Sequence, residues 1–276
     1  PEGLLMVRKL IKHEILRTGP LLGLILDVGT LTVLGSGVLA SLRFPLLSAV
    51  SAVIGFIAVA FPWPLGNLAL TIDFWRTSWG RAGYLTHSLP AKGSTILWAR
   101  LAWGLMAQLV FLVWTVSAML AMLYLANPVP AGDGPGIERI ISQALGEISR
   151  MVPWWQSALV VLALLLIGWA YLVMFYFAAT VGNGPKLAGF GAAGPVITWV
   201  ITYVVLGLLI AGSFLLLVGL VLGDRGLHFT TVDMVRAVQV NDGSVIPFGF
   251  VPVIIASVAI WVPWMAHNWN HRVSLR

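Results

Sequence analysis

The chain has 276 residues, 59% of them apolar, and a mean hydropathy of +0.95; only 9% are charged, against about 25% in a soluble domain. A polypeptide this apolar cannot cover itself with a polar surface, so lipid is its solvent, and the net charge of +6 reflects membrane topology rather than a nucleic-acid footprint. Cysteine is absent, which excludes disulfides, thiolate metal sites, cysteine nucleophiles and covalent haem attachment.

Residues 1–18 open the chain as a basic interfacial helix. Leu4, Val7, Leu10, Ile11 and Ile15 fall on one side and Arg8, Lys9, Lys12 and Arg17 lie mostly opposite, with Glu14 interrupting the apolar side. No short apolar stretch with a small-residue cleavage site stands near the start, so the first spans are expected to direct insertion themselves. Backbone groups in hydrocarbon must bond internally, so long apolar runs are helices, and about 20 such residues cross the bilayer. That rule places six crossings, at residues 21–42, 46–72, 96–126, 158–181, 196–222 and 245–266. The expected fold is an all-α polytopic membrane protein, one transmembrane domain over residues 1–276.

Eleven of the sixteen Lys and Arg residues fall on one side if the N-terminus is cytosolic, and the five others face outer acids in near balance. Both termini and the segment 73–94 are therefore expected in the cytosol, with 127–156 and 223–244 outside. Trp75, Trp79, Trp98, Trp154, Trp155, Trp264 and Trp269 stand at span ends, where indole favours the headgroup level. Outside, Ile137, Ile140, Ile141, Leu145 and Ile148 have helical spacing, and residues 223–243 have room for a short helix capped by Thr230 or Thr231 with Asp233 near its positive end.

Between the second and third spans lies a basic, aromatic, turn-broken island, 75–101. Residues 75–89 fit a short helix along the membrane, ended by Pro90. Composition alone leaves two readings, a docking element and a plain connector. Asp27 is the one carboxylate well inside a span, about two turns from the inner face. It is compatible with a polar cavity, a proton site or an ion pair, for which Arg100 is the best partner. His267 and His271 have a helical chelate spacing, but Asn268 stands where a zinc protease has Glu and no third ligand is evident, so a polar helix end is the expected reading and no metal is assigned. Gly219 with Gly223, and Gly37 with Ser41, are small-residue pairs suited to close helix packing.

The stretch Gly80-Arg81-Ala82-Gly83-Tyr84-Leu85-Thr86-His87-Ser88-Leu89-Pro90 is similar to the segment between the second and third spans of type-2 ABC transporter permeases, the six-span membrane subunits of bacterial exporters. Ala82 stands where that family has an acid. The basic run Arg8-Lys9-Leu10-Ile11-Lys12-His13-Glu14 before the first span also resembles the family. The resemblance implies a cytosolic coupling helix resting on a separate ATPase subunit, with Arg76, Trp79, Gly80, Arg81, Tyr84, His87 and Pro90 making the contact. It also implies a second permease subunit, the same or related, and a plasma-membrane location, in bacteria the inner membrane. ATP and Mg would sit on the partner. This chain has no G-x-x-x-x-G-K-[ST] phosphate loop, and its Gly182-Asn183-Gly184-Pro185-Lys186 run lacks the spacing and the hydroxyl. The expected function is export of a hydrophobic or amphipathic cargo by alternating access, with no catalytic residues in this chain and Asp27 on the cargo path. A membrane-embedded substrate-binding or sensory subunit is the other reading. An intramembrane hydrolase finds no G-x-S-x-G elbow and no carboxylate pair.

Overall fold

The computed structural model describes residues 2–42, 44–80, 83–88, 91–126, 142–143, 146–147, 149–185, 187–214, 218–223, 226–231 and 245–271. Among them are eight α-helices: α1 (Glu2–Ser41), α2 (Pro45–Ala60), α3 (Pro62–Ser78), α4 (Gly83–His87), α5 (Gly93–Ala126), α6 (Trp154–Gly182), α7 (Ala193–Ser213) and α8 (Phe250–His271). Three short strands join them: β1 (Val218–Gly223), β2 (Gly226–Thr231) and β3 (Val245–Pro247). Six helical stretches are long and apolar enough to cross a membrane. Large apolar side chains point outward along these stretches, Leu31, Leu46 and Leu208 among them, as they do when the solvent is lipid. The chain is a multi-pass membrane protein. Its packing divides it into two compact units, Pro1–Ile140 and Ile141–Arg276.

In the first unit, the expected interfacial segment and first span are a single helix. α1 runs for 40 residues, about 60 Å, roughly twice the hydrocarbon thickness, so its charged end stands beyond the lipid core. Pro20 lies inside it and removes one rung of the ladder without ending the helix. The second span bends: α2 and α3 abut at Phe61, where Pro62 and Pro64 lack the N–H groups that would continue the ladder. α1 packs along α5, with α2 and α3 against its flanks. Val33, Ala58, Val59, Ala118 and Met122 form an apolar cluster between α1, α2 and α5. Gly37 lets Leu125 approach, so that small-residue pair serves packing inside this unit.

Polar contacts tie α5 to its neighbours along its length. Trp103 Nε1 donates to Thr18 Oγ1 at 2.8 Å and Trp114 Nε1 to Thr30 Oγ1 at 2.9 Å, both on α1. Gln108, fully buried, donates from Nε2 to Asn67 Oδ1 at 2.6 Å and accepts from Trp63 Nε1 at 2.5 Å, both on α3. In hydrocarbon these donors have no water to turn to, so the contacts set helix rotation and register.

In the second unit, α6 packs on α7 and α8. Phe177 stacks on Trp261 at 5.6 Å and meets Trp264 edge-on at 5.5 Å, and Phe175 stacks on Trp199 at 5.8 Å. The fifth span ends as a helix at Ser213, not near Leu222. The apolar run at its end becomes β1, the middle strand of an antiparallel sheet ordered β2-β1-β3. Gly219 and Gly223 therefore lie in a strand, and Thr230 and Thr231 pair with β1 instead of capping a helix. Gly226 takes φ 101°, open to glycine, to start β2. Gln156 of α6 then grips β2 through both its amide atoms, Nε2 to Leu227 O at 2.9 Å and Oε1 from Leu227 N at 2.7 Å. Asp233 and the residues of the outer amphipathic pattern, Ile137, Ile140, Ile141, Leu145 and Ile148, lie outside the described residues.

Gly66 on α3 faces the buried ring of Phe111 on α5, with no space for a methyl group between them. Gly66→Ala is expected to destabilise the protein by about 1–3 kcal/mol, and Phe111→Leu in the same chain to recover part of that. Thermal unfolding in detergent, followed by fluorescence-detected size exclusion, measures both.

Candidate functional site

The island between the second and third spans folds around the end of α3. Trp79 and Gly80 both donate to the carbonyl of Trp75, at 2.9 and 3.2 Å, and α4 follows two residues beyond. A helix end leaves carbonyls without partners. Here α4 supplies them from its own side chains: Thr86 Oγ1 donates to the Thr77 carbonyl at 2.7 Å, and His87 Nε2 lies 3.1 Å from the Ser78 carbonyl. Since a carbonyl only accepts, His87 carries its proton on Nε2. Burial is the main cause that lowers its pKa; the Arg100 charge adds to it and the Ser78 bond opposes it.

The same helix presents an outward side. Tyr84 is 61% exposed and Leu85 56%, and Arg76 on the last turn of α3 is also exposed. Trp79 is half-buried, edge-on to Phe74 at 5.4 Å. Gly80 stands where a side chain would meet the Arg76 carbonyl. Arg81 and Pro90 of the expected coupling set, and Ala82, lie outside the described residues.

Next to α4, joined to it through Ser78, is an ionic cluster that is buried at Arg100 and Glu14 and exposed at Arg17. Arg100 of α5 is 3% exposed; its Nε bonds Glu14 Oε1 at 3.1 Å and its Nη1 bonds Ser78 Oγ at 2.5 Å. Its guanidinium also lies over the Phe74 ring, 5.3 Å from the centroid. Glu14 of α1 is shared with Arg17, which grips Asp73 of α3 through Nε at 3.0 and 3.1 Å and Nη2 at 2.6 Å. Two carboxylates and two guanidiniums thus alternate across α1, α3 and α5. Ser78 belongs to both structures: its hydroxyl meets Arg100 and its carbonyl meets His87.

Arg100 therefore does form an ion pair, but with Glu14, not with Asp27. Asp27 lies on the opposite side of α1, exposed, with no ion pair or side-chain hydrogen bond among the described residues. Both depth and rotation separate them: Arg100 stands level with Glu14, and Asp27 lies about 20 Å further along α1 and on its other side. Glu14, Arg17, Asp73, Ser78 and Thr86 were absent from the expected site. The signal for Glu14 was present, as the acid that broke the apolar side of residues 1–18.

In the second unit, His267 and His271 stack at 4.7 Å, with His271 Nδ1 held 3.1 Å from the His267 carbonyl. Among the described residues no third His, Asp or Glu joins them in a metal-binding group. A largely apolar cleft of about 300 Å³ lies between α6 and α8, lined by Leu159, Leu162, Leu166, Val251 and Ile255 among others. The chain matches none of the protein-family models, curated proteins or solved structures with which it was compared.

Removing Glu14 would leave Arg100 buried and uncompensated, so Glu14→Ala is expected to cost about 3–5 kcal/mol, whereas Glu14→Leu combined with Arg100→Met should cost less than either alone. Denaturation in detergent of Glu14→Ala, of Glu14→Leu and Arg100→Met singly, and of the two combined measures this. For His87, a lowered pKa means that the folded state binds fewer protons than the unfolded one below pH 6.5, so the strap on α3 weakens as pH falls through that value. Amide exchange over residues 83–88, corrected for intrinsic rates, is expected to quicken between about pH 7.5 and about pH 5.5, and His87→Gln should flatten the change while Arg100, Glu14, Arg17 and Asp73 stay paired.

Proposed function

We propose that this chain is the permease subunit of an ATP-driven exporter, with α4 as the element through which a separate ATPase subunit moves the membrane spans. One observation carries the reading. α4 turns Tyr84 and Leu85 outward while Thr86 and His87 strap it to α3, and Ser78 links that strap to the cluster joining α1, α3 and α5. A push on the exposed side of α4 therefore reaches three spans through short hydrogen bonds and ion pairs. The similarity of residues 80–90 to the coupling segment of type-2 ABC permeases supports the same assignment.

On this reading α4 and both termini are cytosolic, the membrane is the bacterial inner membrane, and the partner binds ATP and Mg. A second permease subunit completes the path. Nucleotide binding favours one of two span arrangements and hydrolysis restores the other, which is alternating access by differential affinity. The exposed side of α1 faces the path, and the cargo is hydrophobic or amphipathic.

The test is co-purification of any ATPase that associates with this chain and measurement of its ATP hydrolysis with and without the permease. Tyr84→Ala combined with Leu85→Ala is expected to abolish at least about 90% of permease-dependent hydrolysis, since exposed aromatic and aliphatic anchors dominate such contacts. Folding stability should change by no more than about 0.5 kcal/mol, because both side chains are exposed. Unchanged hydrolysis in that variant would remove α4 from the coupling role and favour a binding or sensory subunit.

A further inference from the structure

α1 has two unlike sides. Glu14, Thr18, Leu22, Val33 and Ser36 face the packed interior of the first unit. Leu16, Pro20, Leu24, Asp27, Leu31 and Leu34 form an exposed stripe on the other, with Asp27 at its middle. A carboxylate costs about 2.5–3.5 kcal/mol at the centre of a spanning helix when lipid surrounds it. Asp27 cannot escape by reaching for the interface. It stands ten residues from Arg17, about 15 Å along the helix, and its side chain is among the shortest that carry a charge.

Among the described residues no base is paired with it. Arg17 and Arg100 are committed to Glu14 and Asp73 at the α4 end. The other bases in the described spans, Arg8, Lys9, Lys12 and Arg76, lie at that end too, and α6, α7 and α8 contain no Lys or Arg. A second copy presenting the same stripe would oppose one carboxylate to another, which is repulsive in a medium of low dielectric constant. An inorganic cation finds too few ligands: the nearby Thr30 hydroxyl already donates to the Leu26 carbonyl at 2.8 Å and accepts from Trp114 Nε1 at 2.9 Å. What the stripe does offer is one negative charge flanked by Leu24 and Leu31, an open notch at Gly23, and the Trp114 indole about one turn away.

We infer that the Asp27 stripe is a binding site for a lipophilic cation, a molecule with a single positive centre inside an apolar body. The positive centre sits on the Asp27 carboxylate and the apolar groups lie over Leu24, Leu31 and Gly23. The proposal rests on the reading of this side of α1 as the cargo path, and it narrows the cargo from amphipathic molecules in general to cationic ones.

The test needs no ATPase. Binding of radiolabelled tetraphenylphosphonium to the full chain in nanodiscs of zwitterionic lipid is compared with binding of tetraphenylborate, an anion of the same size and shape. The wild-type chain is expected to prefer the phosphonium. Asp27→Asn, isosteric and on an exposed position, should weaken phosphonium binding about tenfold and leave tetraphenylborate no weaker, while Asp27→Glu should stay within about threefold of wild type. Circular dichroism and elution volume of each variant verify that it is folded. Equal phosphonium affinity in the wild type and Asp27→Asn overturns the site. That result beside intact permease-dependent ATP hydrolysis would reject the cargo class and leave the transporter reading in place; Asp27-dependent binding in a chain that stimulates no ATPase would uphold the site and reject the transporter.

Discussion

A guanidinium that is 3% exposed must be neutralised where it stands, and the first half of this protein is arranged around that requirement. Arg100 is on α5, its counter-ion Glu14 on α1, and its hydrogen-bond acceptor Ser78 on α3. Three helices therefore share one end point, and none can rotate or slide without stranding a charge. Arg17 and Asp73 complete the neutral set and add a second tie between α1 and α3. Beyond the ionic cluster the same logic continues with neutral groups, through Thr18 with Trp103, Asn67 with Gln108, and Thr30 with Trp114. In lipid, where apolar contact between helices gives no hydrophobic gain, such contacts supply the specificity that packing by itself lacks.

The two units are held by different means. Polar ties run through the first unit; the second relies on stacked rings of Phe175, Phe177, Trp199, Trp261 and Trp264, with Gln156 as its link to a small sheet. An element that receives a push must be joined to what it moves by bonds that resist shear, and the strap of Thr86 and His87 on α3 has that character. Stacked rings hold helices together but fix their relative height less strictly.

α1 shows how much depends on rotation about a helix axis. Glu14 and Asp27 are both carboxylates on one continuous helix. Glu14 faces inward and neutralises a base; Asp27 faces outward, with no ion pair among the described residues. The first carboxylate is structural. The second is exposed to whatever comes from outside the chain.

Hydropathy and length by themselves determined that the chain crosses lipid six times and where most crossings begin, because the need to satisfy backbone groups in hydrocarbon acts on each segment separately. They also marked the island containing α4 and the polar oddities Glu14, Asp27 and Arg100. Only the tertiary structure decided which of these meet. The pairing of Arg100 with Glu14 depends on helix rotation and on residues 86 positions apart, and neither is a property of any one segment. The end of the fifth span was illegible for a related reason: an apolar run such as residues 218–222 suits a helix or a strand equally, and it becomes β1 because β2, which follows it directly, and β3, further along the chain, provide the hydrogen bonds.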